Sequence, residues 1–266
     1  MTVRTLGPAG TYSHRAARTL GEPVSFERSV TAIVDAVARG DVSRGVVPIE
    51  NSIEGSVTET SDALVDAPVA VVGELVLPIR HALLAQTDSF DAVASHPQAL
   101  AQCRETLDRS YPDLAREAVT STAAGVERAR EDDSVAAIAH PDAADELRVI
   151  DEDVQDRSSN RTRFFVLASG EERTDTGSKS TVVIAPGTNH PGLLFALLEP
   201  FADRDVNLTR IESRPTGRRL GEYEFHLDLE AALSESRTQA ALGEIESVLD
   251  AGQIHRLGSY DVTLVE

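Results

Sequence analysis

Residues 170–178 read GEERTDTGS, a run without one apolar side chain, and it separates two stretches of different periodicity. A segment of that kind has nothing to bury, so it reads as a linker between folding units. Upstream, in 1–169, short apolar strand candidates alternate with helix candidates. A strand over 3–6 precedes a helix over 11–20. A helix over 31–38, with Ile33, Val34 and Val37 on one side, precedes a strand over 45–49. Further strands over 70–77, 92–95 and 135–139 accompany helices over 97–109 and 123–130. This alternation predicts an α/β class with mostly parallel strands. Downstream, strands over 180–185, 207–213, 222–229 and 253–264 enclose helices over 191–202 and 235–249. That βαββαβ order predicts a ferredoxin-like domain over 179–266. Pro191 falls in the first turn of the earlier helix, and Pro200 inside it should kink or shorten it.

Charge limits the partners. Asp and Glu total 44 against 25 Lys and Arg, a formal charge of -19, and Lys179 is the sole lysine. Self-repulsion at that density is relieved by salt, with a Debye length of only about 3 Å at 1 M. Acidic excess with almost no lysine therefore predicts a halophilic protein. It also excludes nucleic acid as a partner, because no basic stripe remains to neutralise phosphates. Cys103 is the only cysteine, which rules out an intramolecular disulfide and argues against a cysteine zinc site. No basic and apolar leader opens the chain, and no apolar run reaches the ~20 residues of a membrane span. A soluble, cytoplasmic protein is expected.

Few segments can carry chemistry. The 7 histidines form no i,i+4 metal pair, and no G-x-S-x-G elbow, P-loop or G-x-G-x-x-G occurs. Neither a metal nor a nucleotide cofactor is expected. His96 and His140 each precede a proline at a strand end and read as structural. Gly7-Pro8-Ala9-Gly10-Thr11-Tyr12-Ser13-His14 joins a strand to a helix, where small residues and free N–H groups suit an anion. Glu50, Asn51, Ser52, Gly55 and Ser56 occupy a loop beyond a strand end, the usual ligand position in α/β folds. Ser95-His96-Pro97-Gln98 and Thr120-Ser121-Thr122 repeat the pattern of strand, polar turn and helix start, which also serves plain N-capping. In Asn160-Arg161-Thr162-Arg163-Phe164 polar residues enter an apolar strand. Alternation sends Thr162 and Phe164 to one face and Arg161, Arg163 and Phe165 to the other. An arginine beside two aromatics at a strand start would make a carboxylate clamp.

Taken in order, GPAGTYSH at 7–14, VVPIENSIEGSV at 46–57, SHPQAL at 95–100, Ser121-Thr122 and NRTRF at 160–164 resemble prephenate dehydratases. Pro191-Gly192-Leu193-Leu194-Phe195 and Ile211-Glu212-Ser213-Arg214-Pro215 resemble the ACT regulatory domain of that family. Where such domains read Gly-Ala-Leu-Val, this chain has Gly192-Leu193-Leu194-Phe195.

The resemblance implies a two-lobed catalytic region like a type II periplasmic binding protein. The lobes would be 1–77 with 160–169, and 78–159, followed by the linker 170–178 and the ACT domain. It implies a monofunctional enzyme that takes prephenate to phenylpyruvate, with loss of CO2 and the ring hydroxyl. Arogenate dehydration and non-catalytic sensing of an aromatic acid are the competing readings. By analogy Thr162 donates to the leaving hydroxyl and Arg163 anchors the pyruvyl carboxylate. Asn51, Ser52, Asn160 and Phe164 complete the catalytic set, and Gly10, Thr11, Glu50, Gly55, Ser56, Ser121 and Thr122 bind substrate. Phenylalanine is the implied effector, bound by Gly192, Leu193, Leu194, Phe195, Asn207, Leu208, Glu212, Ser213, Arg214 and Pro215. The ACT domains would pair subunits into a homodimer or a dimer of dimers.

Overall fold

The computed structural model describes residues 2–21, 23–217, 219–249 and 251–265. The chain opens with β1 (Val3–Leu6), α1 (Tyr12–Arg18), β2 (Val24–Glu27), α2 (Val30–Ala38), β3 (Arg44–Asn51), the two-residue β4 (Gly55–Ser56), α3 (Thr58–Leu64) and β5 (Val69–Pro78). It then runs through β6 (Ala82–Ala85), β7 (Ala92–Ser95), α4 (Pro97–Gln102), α5 (Arg104–Ser110), β8 (Ala115–Ala118), α6 (Thr122–Glu131), β9 (Val135–Ala139) and β10 (Arg148–Asp151). Strand β11 (Arg161–Ser169) returns to the first group. After it come β12 (Lys179–Ala185), α7 (Leu193–Ala202), β13 (Leu208–Pro215), β14 (Tyr223–Leu229), α8 (Ser236–Val248), β15 (Gln253–Tyr260) and β16 (Val262–Leu264).

Three sheets result. The first has the order β16-β5-β11-β3-β1-β2 with β4 on β3, the second β10-β6-β9-β7-β8, and the third β13-β14-β12-β15. The chain crosses between the first two sheets twice, after β5 and before β11, so two α/β lobes face each other across a cleft. The strands of both sheets run mostly in one direction, as the alternation predicts, and apart from the two-residue β4 one strand in each is reversed. Strand β11 inserts antiparallel between β3 and β5, and β6 runs antiparallel to β9 and β10. The physical reason is the double crossing: a strand that re-enters a sheet from the other lobe arrives from the opposite end.

Local chemistry explains most boundaries. Ser29 and Ser121 cap α2 and α6, their hydroxyls accepting from Ala32 N and Ala124 N. The single helix expected over 97–109 is two, broken at Cys103, whose backbone leaves the helical region. Pro191 lies outside α7, which begins after the left-handed Gly192, and Pro200 sits two residues before the helix ends. Gly125 has a packing role: a Cβ there would meet the Ala94 carbonyl oxygen at 2.6 Å, so glycine lets α6 lie directly on β7.

The third sheet has the ferredoxin-like order, with α7 and α8 over one face. Its other face lies on the first lobe. Val183, Leu257 and Tyr260 share one core with Ile33, Val37, Val47 and Phe165, so the seam between the domains is packed like an interior. The polar run 170–178 is ordered against this seam, its Thr174 and Asp175 carbonyls accepting from Ser259 N and Ser234 N. The expected last strand also divides. Residues 253–260 stay in the third sheet, while β16 turns away and pairs parallel with β5, extending the first lobe. Among the described residues no helix is long and apolar enough to cross a membrane, and no His, Cys, Asp and Glu group is arranged to hold a metal ion.

Candidate active site

The cleft between the lobes encloses a cavity of about 520 Å³. Strand β11 brings Thr162 and Phe164 into its wall by alternation. In the ladder Thr162 lies directly opposite Asn51 of β3, and the Asn51 amide nitrogen donates to Thr162 Oγ1 at 2.9 Å. The same nitrogen donates to Asn160 Oδ1 at 3.0 Å, while Asn51 Oδ1 accepts from Ile53 N and Glu54 N. Two backbone donors on the oxygen fix which end of the amide faces Thr162. The threonine oxygen is therefore an acceptor toward Asn51, and its own hydrogen is left for the cleft.

A further chain of bonds runs from this pair to the second lobe. Asn160 Nδ2 donates to Gln102 Oε1 at 3.1 Å, and Gln102 Nε2 donates to Glu54 Oε1 at 3.1 Å. The same Gln102 oxygen faces His81 Nε2 at 3.1 Å, which makes that ring nitrogen the protonated one. Burial holds the pKa of His81 below its ordinary value, against the raising effect of the Gln102 bond, so the ring is neutral. Tyr12 approaches from α1, its hydroxyl donating to the Arg80 carbonyl, and burial raises its pKa. The lobes are also joined by Arg15 of α1, which pairs with Asp142 at 2.8 Å.

Of the residues singled out from the sequence, Thr11, Asn51, Gly55, Ser56, Ser121, Thr122, Thr162 and Phe164 line the cavity. Asn160 is fully buried behind Thr162. Ser52 lies outside the cavity, where its hydroxyl accepts from Arg161 N and donates to the Ser159 carbonyl, pinning the loop to β11. Gly10 also lies outside the lining, with its backbone N donating to His14 Nδ1. Ser95 is no cap: its hydroxyl is buried on the Ile138 carbonyl, and His96 caps α4 instead. Thr120 and His96, from two of the polar turns read above, also line the cavity, as do Tyr12 and Glu54, which stand in the quoted motifs without an assigned role. His81 and Gln102, which the sequence did not single out, line it too. Gln102 was within reach of sequence reasoning, because it stands on the helix that SHPQAL opens. His81 was not, since nothing local marks it.

The geometry corrects one expectation. Arg163 points away from the cleft, to the face of β11 opposite Thr162. Its guanidinium pairs with Glu50 at 2.6 Å, Glu74 at 2.7 Å and Asp228 at 2.7 Å, and Lys179 adds a bond to Glu74 at 3.0 Å. Glu74 and Asp228 are 2% and 0% exposed, so these carboxylates have no solvent to fall back on. Burial opposes the charge of Arg163, but the hydrogen bonds and charges of Glu74 and Asp228 outweigh it and raise its pKa. The arginine is a carboxylate clamp, as its residue type foretold, but for the protein's own carboxylates. Glu50 is consumed in the same network. Among the described residues no arginine or lysine lines the cavity, and an anion there meets hydroxyls, amides and the start of α6.

The ten expected effector residues scatter over the third sheet. Leu194 and Phe195 are 42% and 67% exposed, whereas Leu193 is buried in the domain core. Leu208 packs against that core, and Asn207 bonds Glu230. Gly192, Ser213 and Pro215 are exposed and Glu212 is half-buried. Arg214 is committed to Asp62 of α3 through two bonds of 2.8 Å, which does not fit direct effector binding.

Comparison with known proteins agrees with this architecture. Residues 3–172 match the family profile of prephenate dehydratase, and residues 181–247 match that of the ACT domain. The chain is 34% identical to the prephenate dehydratase of Bacillus subtilis, over 98% of both chains. It is 36% identical to the bifunctional chorismate mutase/prephenate dehydratase of Aquifex aeolicus, over 99% of this chain and 74% of that one. The crystal structure of the Arthrobacter aurescens prephenate dehydratase in complex with L-Phe superposes with a TM-score of 0.87. That match has 35% identity and covers 98% of this chain and 90% of that chain. A two-lobed cleft with Thr162 and Asn51 paired at its wall, an ACT domain packed behind it and these relatives agree: the chain belongs to the prephenate dehydratase family.

Proposed function

We propose that the cleft converts prephenate to phenylpyruvate, with Thr162 as the donor to the departing ring hydroxyl. In that reaction the ring carboxylate leaves as CO2, and the electron pair of its C–C bond enters the ring. The ring expels hydroxide, which takes up a proton and departs as water. Aromatisation drives both cleavages, so the protein needs to orient the substrate and ease one leaving group. The carrying observation is the hydroxyl of Thr162, held as an acceptor by Asn51 with its hydrogen free toward the cleft. A strongly bound cation beside the carboxylate that leaves would stabilise the ground state, because that charge disperses as CO2 forms. A cavity without arginine or lysine avoids the penalty.

Arg163 does not support the anchoring role expected for it. For the surviving pyruvyl carboxylate we assign instead the start of α6, with Thr120, Ser121 and Thr122. The Ser121 oxygen already accepts from Ala124 N, so its hydrogen is available to an anion. Incubation with prephenate and with arogenate in parallel, with detection of phenylpyruvate and phenylalanine, tests the assignment. Turnover of prephenate supports it, arogenate turnover alone would move the substrate to the amino analogue, and binding without turnover would leave a sensor.

L-Phenylalanine is the proposed effector, supported by its presence in the Arthrobacter complex. The exposed apolar residues Leu194, Phe195, Ile211 and Tyr223 support pairing of subunits through the ACT domain into a dimer or a dimer of dimers. Sedimentation equilibrium with and without phenylalanine checks the assembly. A cytoplasmic location accompanies this reading and is checked by fractionation.

A further inference from the structure

The ACT sheet reaches into the catalytic wall through one strand. Along β14, Leu227 and Leu229 face the ACT helices, and Asp228 and His226 face the catalytic lobe. In the ladder Leu208 lies opposite Leu229 but Arg210 lies opposite Asp228, with a register shift between them. That extra residue turns Leu208 into the ACT core while sending Arg210 to the other face. Without it, both side chains would share a face. Arg210 is 6% exposed, and its Nη2 donates to Ser61 of α3 at 2.9 Å. Its Nε reaches Ser56 at 3.4 Å, and Ser56 lines the catalytic cavity. Two residues further along β13 than Glu212, Arg214 grips Asp62 on the same helix.

The segment held in this way continues into the site. Residues 51–57 run from the partner of Thr162 through β4 into α3, whose first turn follows directly on Ser56 and Val57. The grip is also incomplete. Arg210 Nη1 and His226 Nε2 are both buried in the seam without a hydrogen-bond partner. A buried cation with a donor left over is costly, so this packing is not the only one open to the side chain. The strand that carries Arg210 carries the effector-associated residues 212–215 as well, and a shift of β13 must either drag α3 or break these bonds.

We propose that Arg210 is a positioning residue for the cleft: it seats Ser56 and the start of α3, and through it the position of β13 sets the shape of the catalytic wall. The inference rests on the reading above for its effector, but the positioning of Ser56 stands apart from it. It assigns the communication between domains to a direct contact. The coupling needs no altered pairing of subunits to reach the site.

The test compares Arg210→Met, Arg210→Lys and Ser61→Ala with the parent. Each is measured for KM and kcat with prephenate, for inhibition by L-phenylalanine, and for L-phenylalanine binding by calorimetry. Ser61→Ala removes the shorter bond without touching the cavity. Arg210→Met should leave phenylalanine binding close to the parent's while KM, and the concentration giving half-inhibition, shift by about 2- to 30-fold. Lysine keeps the charge but not the fork that spans two hydroxyls, so Arg210→Lys should recover only part of the loss. Ser61→Ala should move the same two quantities in the same direction by less, and it decides the matter if Arg210→Met fails to fold. Parental KM and parental inhibition in both Arg210→Met and Ser61→Ala would overturn the proposal. If calorimetry detects no phenylalanine binding to the parent, the effector reading fails, and the KM comparison alone then judges the positioning role.

Discussion

Thr162 is a weak acid in ordinary surroundings, and what distinguishes it here is the direction of its hydrogen. The Asn51 amide donates to its oxygen, and Asn51 cannot turn round because two backbone N–H groups hold the amide oxygen. Thr162→Ala should therefore lower kcat by about 10²–10⁴-fold, the usual worth of positioned proton donation, with little change in KM. Steady-state kinetics on prephenate decide it, and near-parental turnover would remove Thr162 from the mechanism. Asn51→Asp is the sharper probe. A carboxylate opposite Thr162 would accept the threonine hydrogen and leave none for the substrate, so kcat should fall despite an almost unchanged shape. Tyr12 and His81 act differently: burial keeps one protonated and the other neutral, so both present fixed dipoles to the cleft.

At the scale of elements, β11 carries two functions on its two faces. Thr162 and Phe164 line the cleft, while Arg163 gathers Glu50, Glu74 and Asp228 and so joins β3, β5 and β14. Arg163→Met would leave these carboxylates facing one another with only Lys179 between them. Loss of one partner from a buried ion pair costs about 3–5 kcal/mol, and urea unfolding should report a loss of that size. The KM of the remaining folded enzyme should change far less than its stability, because the guanidinium does not touch the cavity. The seam also holds His226, whose pKa burial and the charge of Arg210 lower to about 4. Asp228, Asp62 and Arg214 are its other charged neighbours, the two carboxylates raising and the arginine lowering its pKa. The neutral ring is favoured in the folded state, whereas an unfolded histidine takes up its proton near pH 6.5. Its contribution is therefore complete above about pH 6.5 and is lost as pH falls toward 4. His140, lowered to about 4 by burial and by Arg15, adds to the same acid sensitivity. Urea unfolding at pH 7 and pH 5 should show this loss, and His226→Gln should flatten it.

For the molecule as a whole, the formal charge of -19 is the dominant long-range property. The sole lysine, Lys179, is largely withdrawn from the surface: its side chain is only 12% exposed and pairs with Glu74 in the domain seam. The described surface thus carries its positive charge as arginine, much of it paired locally with Asp or Glu, as in Arg204 with Glu244 and Arg256 with Glu246. Added salt screens the remaining repulsion within about 3 Å at 1 M, against about 10 Å at 0.1 M. Tm should rise from low to molar potassium chloride, by about 2–4 °C for each ~1 kcal/mol of repulsion relieved. A flat or falling Tm in calorimetric scans would set the halophilic reading aside.

Much of this architecture is legible locally. The βαββαβ order, the strands Val3–Leu6, Ala92–Ser95 and Val135–Ala139, and the cap at Ser121 follow from periodicity and capping chemistry, which act over a few neighbours. The alternation along β11 even separates Thr162 from Arg163. What the sequence alone determined is therefore many of the elements, the family motifs and which residues share a face, but not the break at Cys103 or the division of the last strand. It could not say what lies against each face. Whether Arg163 met a substrate or three carboxylates, whether Glu50 lined a cleft or a seam, and that His81 and Gln102 stood beside Asn160 depended on long-range packing. Those contacts join residues tens to more than a hundred positions apart, and only the folded chain, through the double crossing of the lobes and the bulge at Arg210, brings them together.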